Sequence, residues 1–228
     1  MNFVFDVDGT LTDTRQQIDK EFLNFMQKFT GMHTCYLCTG SDRQKTVEQL
    51  GTSLTNKFSK AFHCSGNLIY SGGKEIYRSP WALTSAEYAF LEQALDNINY
   101  PEPTGNHIEE RIGTANVSIV GRNCNLEQRK RFVRWDIEHN VRDTMATQFN
   151  LMFPKSQAVI GGETGIDIFK AGHDKSQIKA HITGDIIYFG DKCFPGGNDY
   201  SISSISEKFY QIDYGWKQTY EILKNEYI

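Results

Sequence analysis

Asp6 and Asp8 stand two residues apart in FVFDVDGTLT, directly after a short apolar run. Aspartates are common in turns, so the pair alone says little. The glycine that follows permits a tight turn, which would aim both carboxylates and nearby N–H groups at one spot. Three further segments carry matching chemistry. Thr39-Gly40-Ser41 ends a predicted strand and offers two hydroxyls beside a helix N-terminus, a ready anion site. Lys175 opens a predicted helix with a fixed positive charge. GDKCFPGGND follows another apolar strand and brings Asp191, Asn198 and Asp199. Clustered acids would repel one another and any phosphate. A hard cation with oxygen ligands resolves the conflict, and Mg²⁺ is the usual partner of phosphates. Phosphoryl transfer needs alignment and neutralisation of equatorial oxygen charge, and a metal plus one lysine supply both.

These residues need elements to place them. Asn2–Phe5 reads as a buried strand. Ile18, Phe22, Phe25, Met26 and Phe29 recur at helical spacing and predict a helix over 15–29 that ends before Gly31. A strand at 33–38, a helix from Ser41-Asp42 to Leu50 stopped by Gly51, and a strand at 60–64 follow. NLIYSGGKEIYR reads as a hairpin turning at Gly72-Gly73. This order predicts a parallel α/β sheet. The pattern changes near Pro80. Thr84-Ser85-Ala86-Glu87 matches a capping box for a helix to about residue 98. RIGTANVSIVGR, residues 111–122, reads as one half-buried strand, with Ala115, Val117 and Ile119 on its apolar face and an arginine at each end. Helices over 126–139 and 142–150 and strands near 158–160 and 166–169 complete an α+β block. From Lys175 the α/β pattern resumes, with strands at 185–189 and 208–212 and a helix over 215–225. The expected architecture is an α/β core of residues 1–79 and 174–228, interrupted by an α+β insert of residues 80–173.

Composition narrows the function classes. Twenty-four basic residues against 28 acidic ones give a net charge of −4, with no basic run, so no nucleic-acid partner is expected. No apolar run nears the roughly 18 residues of a membrane span, and the N-terminal run is too short for a signal peptide. A soluble cytoplasmic protein is the default expectation. The five cysteines show no disulfide spacing. Cys35 and Cys38 point to opposite faces of a strand and read as core residues, since no second pair completes a zinc site.

Taken together, the four acidic and basic segments resemble the haloacid dehalogenase (HAD) superfamily of phosphotransferases. That resemblance implies a Rossmann-like core with an inserted cap. It implies Asp6 as the nucleophile that becomes an aspartyl-phosphate and Asp8 as general acid/base. Thr39 or Ser41 and Lys175 would bind the phosphoryl oxygens. Asp6, the backbone carbonyl of Asp8, and Asp191 would hold Mg²⁺, with Asp199 supporting that shell from behind beside Asn198.

Longer stretches resemble eukaryotic-type phosphomannomutases over nearly the whole chain: DVDGTLT with Arg15, GSD-x-x-K-x-x-EQLG, SGNLIY, RIGTANVSIVGR with Asn116, Gly161-Gly162 leading to Asp167, G-x-DK ending in Lys175, and FGDKCFPGGND. The resemblance implies interconversion of mannose 6-phosphate and mannose 1-phosphate, often with glucose equivalents, using Mg²⁺ and a hexose 1,6-bisphosphate activator. It implies a homodimer formed through the caps. Arg15, Arg111, Arg122, Arg129 and Asp167 match substrate contacts, and arginine's planar fork suits phosphate. Gly165 stands where the family has a phosphate-binding serine, a lost hydroxyl worth roughly 0.5–1.5 kcal/mol. Ile119, Thr114-Ala115 and His173 also depart from the family pattern and bear on sugar preference. A sugar-phosphate phosphatase of related cap type would use the same core, with water as acceptor. A non-catalytic binding protein on this fold is opposed by the intact Asp6, Asp8, Lys175 and Asp191.

Overall fold

The structure is a computed structural model describing residues 1–228. In chain order its elements begin β1 (Asn2–Phe5), α1 (Lys20–Met32), β2 (Thr34–Cys38), α2 (Arg43–Thr55), β3 (Lys60–His63), β4 (Leu68–Ser71) and β5 (Lys74–Arg78). They continue α3 (Ser85–Asp96), β6 (Ile108–Arg111), β7 (Thr114–Ser118), α4 (Leu126–His139), α5 (Val141–Met152), β8 (Ser156–Gly161) and β9 (Gly165–Lys170). A 3-10 helix at Lys175–His181, then β10 (Ile186–Gly190), α6 (Tyr200–Ser203), β11 (Lys208–Gln211) and α7 (Trp216–Glu226) close the chain. Two compact units result: Met1–Arg78 with His173–Ile228, and Ser79–Gly172. No helix is long and apolar enough to cross a membrane.

The first unit is built on a seven-stranded sheet ordered β11-β10-β1-β2-β3-β4-β5. Its first five strands are parallel, and β4 and β5 add antiparallel at one edge. β1 and β10 are buried on both faces, as central parallel strands must be. Phe3, Phe5 and Phe189 pack with Phe22 and Phe29 of α1 on one face. Val4, Tyr36, Phe62, Ile186 and Tyr188 form the other face with Ile178 and Ile202. Cys35 and Cys38 fall in these two separate clusters, buried and free.

The second unit carries an antiparallel sheet ordered β6-β7-β9-β8. Val117, Ile166 and Ile168 of that sheet pack with Leu91 of α3 and Met145 and Phe149 of α5. Phe132 of α4 forms a smaller cluster with Tyr100, Ile119 and Val120. The capping box at α3 is present, with Thr84 and Glu87 satisfying each other's backbone N–H.

Three expectations need correction. α1 starts at Lys20 rather than Arg15, because the Asp19 carboxylate caps Glu21 and Phe22, and it continues through Gly31 to Met32. Gly51 (φ +76°) kinks α2 but does not end it, since another turn follows to Thr55. RIGTANVSIVGR is not one strand. Gly113 (φ +67°) turns it into the β6–β7 hairpin, with Arg111 ending β6 and Arg122 lying beyond β7. Its polar face is covered as well, since Asn116 and Ser118 are buried.

His63, fully enclosed at the end of β3, bonds Thr46 of α2 through Nδ1 (3.2 Å). Burial, aided by the nearby Arg43 cation, pushes its imidazole down to about 4. The unfolded chain therefore takes up the proton first as pH falls. The stability held in the neutral ring is present above pH ~6.5 and lost toward pH 4, by up to about 3 kcal/mol. Denaturant midpoints of the wild-type chain are expected to fall across that window. His63→Gln should flatten the fall, and an equally steep variant would contradict this.

Candidate active site

Asp6 lies one residue past β1, and the sheet explains its placement. β1 pairs with β10 on one side and β2 on the other, so strand order reverses there. The crevice outside the carboxyl ends at such a switch point is where open α/β sheets bind ligands. The Asp6 N–H donates to the Phe189 carbonyl (2.9 Å), which anchors the backbone beneath the carboxylate. Gly9 (φ +75°) then folds the chain back, and the N–H groups of Leu11 and Thr12 close onto the Val7 carbonyl. A side chain at Gly9 would start 2.7 Å from Asp191 Oδ2, so glycine also admits that second carboxylate.

Lys175, 1 % exposed, donates to Asp6 Oδ1 at 2.8 Å and to Asp199 Oδ1 at 2.6 Å. Burial alone would discharge this ammonium. The Asp199 and Asp6 carboxylates outweigh burial and hold it charged, above the ordinary lysine range. Burial also pushes Asp6 up, to about 7, with the Asp199 and Asp191 charges adding to it and Lys175 opposing. Burial would raise Asp199 too, but the Lys175 charge and its hydrogen bonds win, and its carboxyl sits below the usual value. Asp191 is raised, chiefly by burial.

Carboxylate oxygens of Asp6, Asp191 and Asp199 lie within 4.8 Å of one another. Asp199 is occupied: Oδ1 accepts from Lys175 and from the Tyr188 hydroxyl (2.6 Å), and Oδ2 accepts from the Lys192 N–H (3.0 Å). Asp6 Oδ2 accepts no hydrogen bond, and the Asp191 carboxylate lies against that of Asp199. Three carboxylates sharing one ammonium, with hard oxygen donors only, fit a divalent cation. Asp199 stands behind as an anchor for the lysine, and Asn198 makes no hydrogen bond to the cluster.

Asp8 Oδ1 accepts from the Arg15 N–H (2.7 Å) and from Gln49 Nε2 (2.9 Å), which leaves Oδ2 as its free oxygen. Arg15 thus acts on Asp8 through its backbone, from a left-handed conformation (φ +61°), and its side chain bonds nothing in the protein. Thr39 follows β2, and its Oγ1 accepts the Ser41 N–H (3.1 Å).

The residues expected in the insert form their own network. Arg122 Nε and Arg111 Nη2 share Glu109 Oε2, at 2.7 and 2.9 Å. Arg122 Nη1 donates to Asn116 Oδ1 (3.2 Å), and Asn116 Nδ2 donates to Asp167 Oδ1 (2.7 Å). Arg129 stands apart, paired with Glu163 at 3.4 Å. Gly165 is explained by close approach, since a side chain there would begin 2.5 Å from Asn116 Nδ2. The amide of Asn116 and the Gly161 carbonyl crowd the place where any side chain would start.

Sequence reasoning missed Tyr188, Gln49 and the Arg142–Asp136 pair. A phenol within the buried run IIYFG is a signal, because its hydroxyl must find a partner. Gln49 carries no such mark. Arg142 binds Asp136 (2.6 Å) and donates to the carbonyls of Gly162 and Gly165, bracing the turn that leads into β9.

The model of the eukaryotic phosphomannomutase family matches residues 22–225. The chain is 35% identical to a phosphomannomutase of Glycine max over 209 residues, 87% of this chain and 85% of that protein. It is 35% identical to one of Saccharomyces cerevisiae, covering 87% and 83%. It is 35% identical to one of Drosophila melanogaster, covering 96% and 92%. Among solved structures it resembles an IMP-bound Plasmodium falciparum IMP-nucleotidase, with a TM-score of 0.65 at 11% identity, covering 98% of this chain and 67% of that one. It also resembles a haloacid dehalogenase-like hydrolase of Bacteroides thetaiotaomicron (TM-score 0.58, 14% identity, covering 90% and 85%) and the Synechocystis sucrose-phosphatase (0.59, 13%, covering 99% and 88%). These structural likenesses establish a HAD-like fold.

The Asn116 geometry predicts that Gly165→Ser does not build a better anion site. The new Cβ displaces the amide from Asp167, at a cost of about 1–3 kcal/mol. The thermal midpoint should fall and inorganic phosphate should bind no tighter. An unchanged midpoint with tighter phosphate binding would show instead that a hydroxyl is what the site lacks.

Proposed function

The chain belongs to the eukaryotic phosphomannomutase family, and we propose that it interconverts mannose 6-phosphate and mannose 1-phosphate, and the glucose equivalents, through an aspartyl-phosphate on Asp6. The observation that carries this reading is the buried Asp6 carboxylate, with Oδ1 held by Lys175, Oδ2 unbonded, and the Asp191 and Asp199 carboxylates within 4.8 Å. A carboxylate so fixed is oriented to attack, and the lysine neutralises charge that develops on the phosphoryl oxygens.

Asp8 suits the acid/base role because Oδ1 is tied by Arg15 and Gln49 while Oδ2 is available. Starting from phosphorylated Asp6, Asp8 takes the proton of a sugar hydroxyl as that oxygen bonds phosphorus and the Asp6–phosphorus bond breaks. The product is a hexose 1,6-bisphosphate. After it reorients, Asp6 Oδ2 bonds the other phosphorus, the sugar oxygen–phosphorus bond breaks, and Asp8 returns its proton to that oxygen. Phosphoryl group and proton are both restored, so the net reaction is isomerisation. Thr39, Ser41 and Lys175 bind the phosphoryl oxygens throughout. Asp6, the Asp8 carbonyl and Asp191 would hold Mg²⁺, which neutralises phosphoryl charge when bound.

A mutase must hold a second phosphate, and the insert's arginines are suited to it. In the free protein Glu109 keeps Arg111 and Arg122 together, and an arriving phosphate exchanges with that carboxylate. Arg129, Asn116 and Asp167 complete the proposed substrate set, and Arg15 is its member in the first unit. Exposed Leu126 and Ile137 on α4, and Leu151 and Met152 on α5, suit the homodimer that the family implies.

The test is one assay with two readouts. With mannose 1-phosphate, Mg²⁺ and a trace of glucose 1,6-bisphosphate, mannose 6-phosphate should form without matching free phosphate. Asp6→Asn should abolish both outputs, and Arg122→Ala should mainly raise KM. Free phosphate without isomerisation would make the chain a sugar-phosphate phosphatase instead.

A further inference from the structure

The phosphoryl loop Thr39-Gly40-Ser41 is held by a strained turn elsewhere in the first unit. After β3, Cys64, Ser65 and Gly66 take successive positive φ angles of 49°, 58° and 98°. Two adjacent non-glycine residues in this region are unfavourable and persist only where surrounding bonds dictate them. The strained turn sends both amides toward the loop. Cys64 N–H donates to the Ser41 carbonyl (3.0 Å) and Ser65 N–H to the Thr39 carbonyl (2.9 Å). The two bonds grip the loop on either side of Gly40, whose own N–H has no protein acceptor.

The far side of the turn is held by Gln177. Its Nε2 donates to the Ser65 carbonyl (2.8 Å) and to the His173 carbonyl (3.0 Å). Its Cγ lies 2.9 Å from where a Gly66 side chain would begin, so the two segments pack without a gap. Gln177 is two residues beyond Lys175, within the same 3-10 helix. One amide therefore joins the segment carrying the ammonium to the turn that fixes the hydroxyl loop.

We propose that Gln177, through the strained Cys64–Ser65 turn, is a positioning residue that sets the spacing between Lys175 and the Thr39/Ser41 hydroxyls. The inference rests on the reading of those groups as the phosphoryl-binding set. Gln177 touches no reacting atom. Small displacements of groups that align a transferring phosphoryl carry large rate penalties.

The test is single-turnover phosphorylation of the full chain by excess radiolabelled glucose 1,6-bisphosphate with Mg²⁺. The first-order rate constant is independent of the fraction of active protein, which a purely structural defect would change instead. Gln177→Met keeps the side chain's length and removes the donor. Its rate constant at saturating bisphosphate should fall about tenfold, with the labelling amplitude kept and the melting midpoint within a few degrees. Should it not fold, Gln177→Glu carries the same test, with the donor lost and the polarity kept. A folded variant phosphorylated at the wild-type rate would overturn the proposal, as would a lost amplitude at an unchanged rate constant. Wild-type chain that takes no label, or Asp6→Asn chain that still does, would instead sink the underlying reading of the site.

Discussion

A single buried ammonium organises the first unit's charge. Lys175 is enclosed between Asp6 and Asp199, and each of the three would be costly to bury without the others. Asp199 is the fixed end of this arrangement, because Tyr188 and the Lys192 N–H complete its hydrogen bonding. Asp6 is the responsive end. It shares the lysine's charge with Asp199 and feels Asp191 as well, so its carboxylate is left short of positive charge. The same shortage that makes the free cluster uncomfortable suits it to a divalent cation and a phosphoryl group.

The surrounding fold can be read as support for that cluster. Parallel strands β1 and β10 bring Asp6 and Asp191 to adjacent strand ends, and Gly9 removes the side chain that would keep them apart. Backbone strain gathers nearby, at Arg15 beside Asp8 and at Cys64 and Ser65 beside the loop of Thr39 and Ser41. Strain of this kind collects where groups must be held in place. The insert solves a different problem. Its arginines are each paired with an acid of the same unit, Arg111 and Arg122 with the one carboxylate of Glu109 and Arg129 with Glu163.

Much of this was legible in the sequence for physical reasons. Apolar runs of three to five residues leading to Asp6, Thr39 and Asp191 mark buried parallel strands with chemistry at their carboxyl ends. The capping box at Thr84 and Glu87 located α3 closely, because a cap is a local bond between near neighbours. The apolar spacing includes Ile18, ahead of Asp19, and so places the start of α1 too early, while the cap at Asp19 decides the boundary. RIGTANVSIVGR reads as one strand because alternation survives a tight hairpin when a glycine supplies the turn. Gln49 and Gln177 carry no mark in the sequence, since the partners Asp8 and Ser65 lie 41 and 112 positions away. Gly165 reads in the sequence as a missing hydroxyl, and only the fold shows Asn116, 49 residues earlier, crowding that position.

The central claim is that three carboxylates around one ammonium make a site that a divalent cation completes. It is tested most directly by thermal unfolding of the substrate-free chain across a Mg²⁺ titration, with Asp191→Asn alongside. A cation bound only by the folded state raises the midpoint with concentration. The wild-type midpoint should climb and saturate, while the Asp191→Asn chain should start higher than or level with the wild type and barely respond. No shift in the wild type, or an equal shift in the variant, would contradict the account.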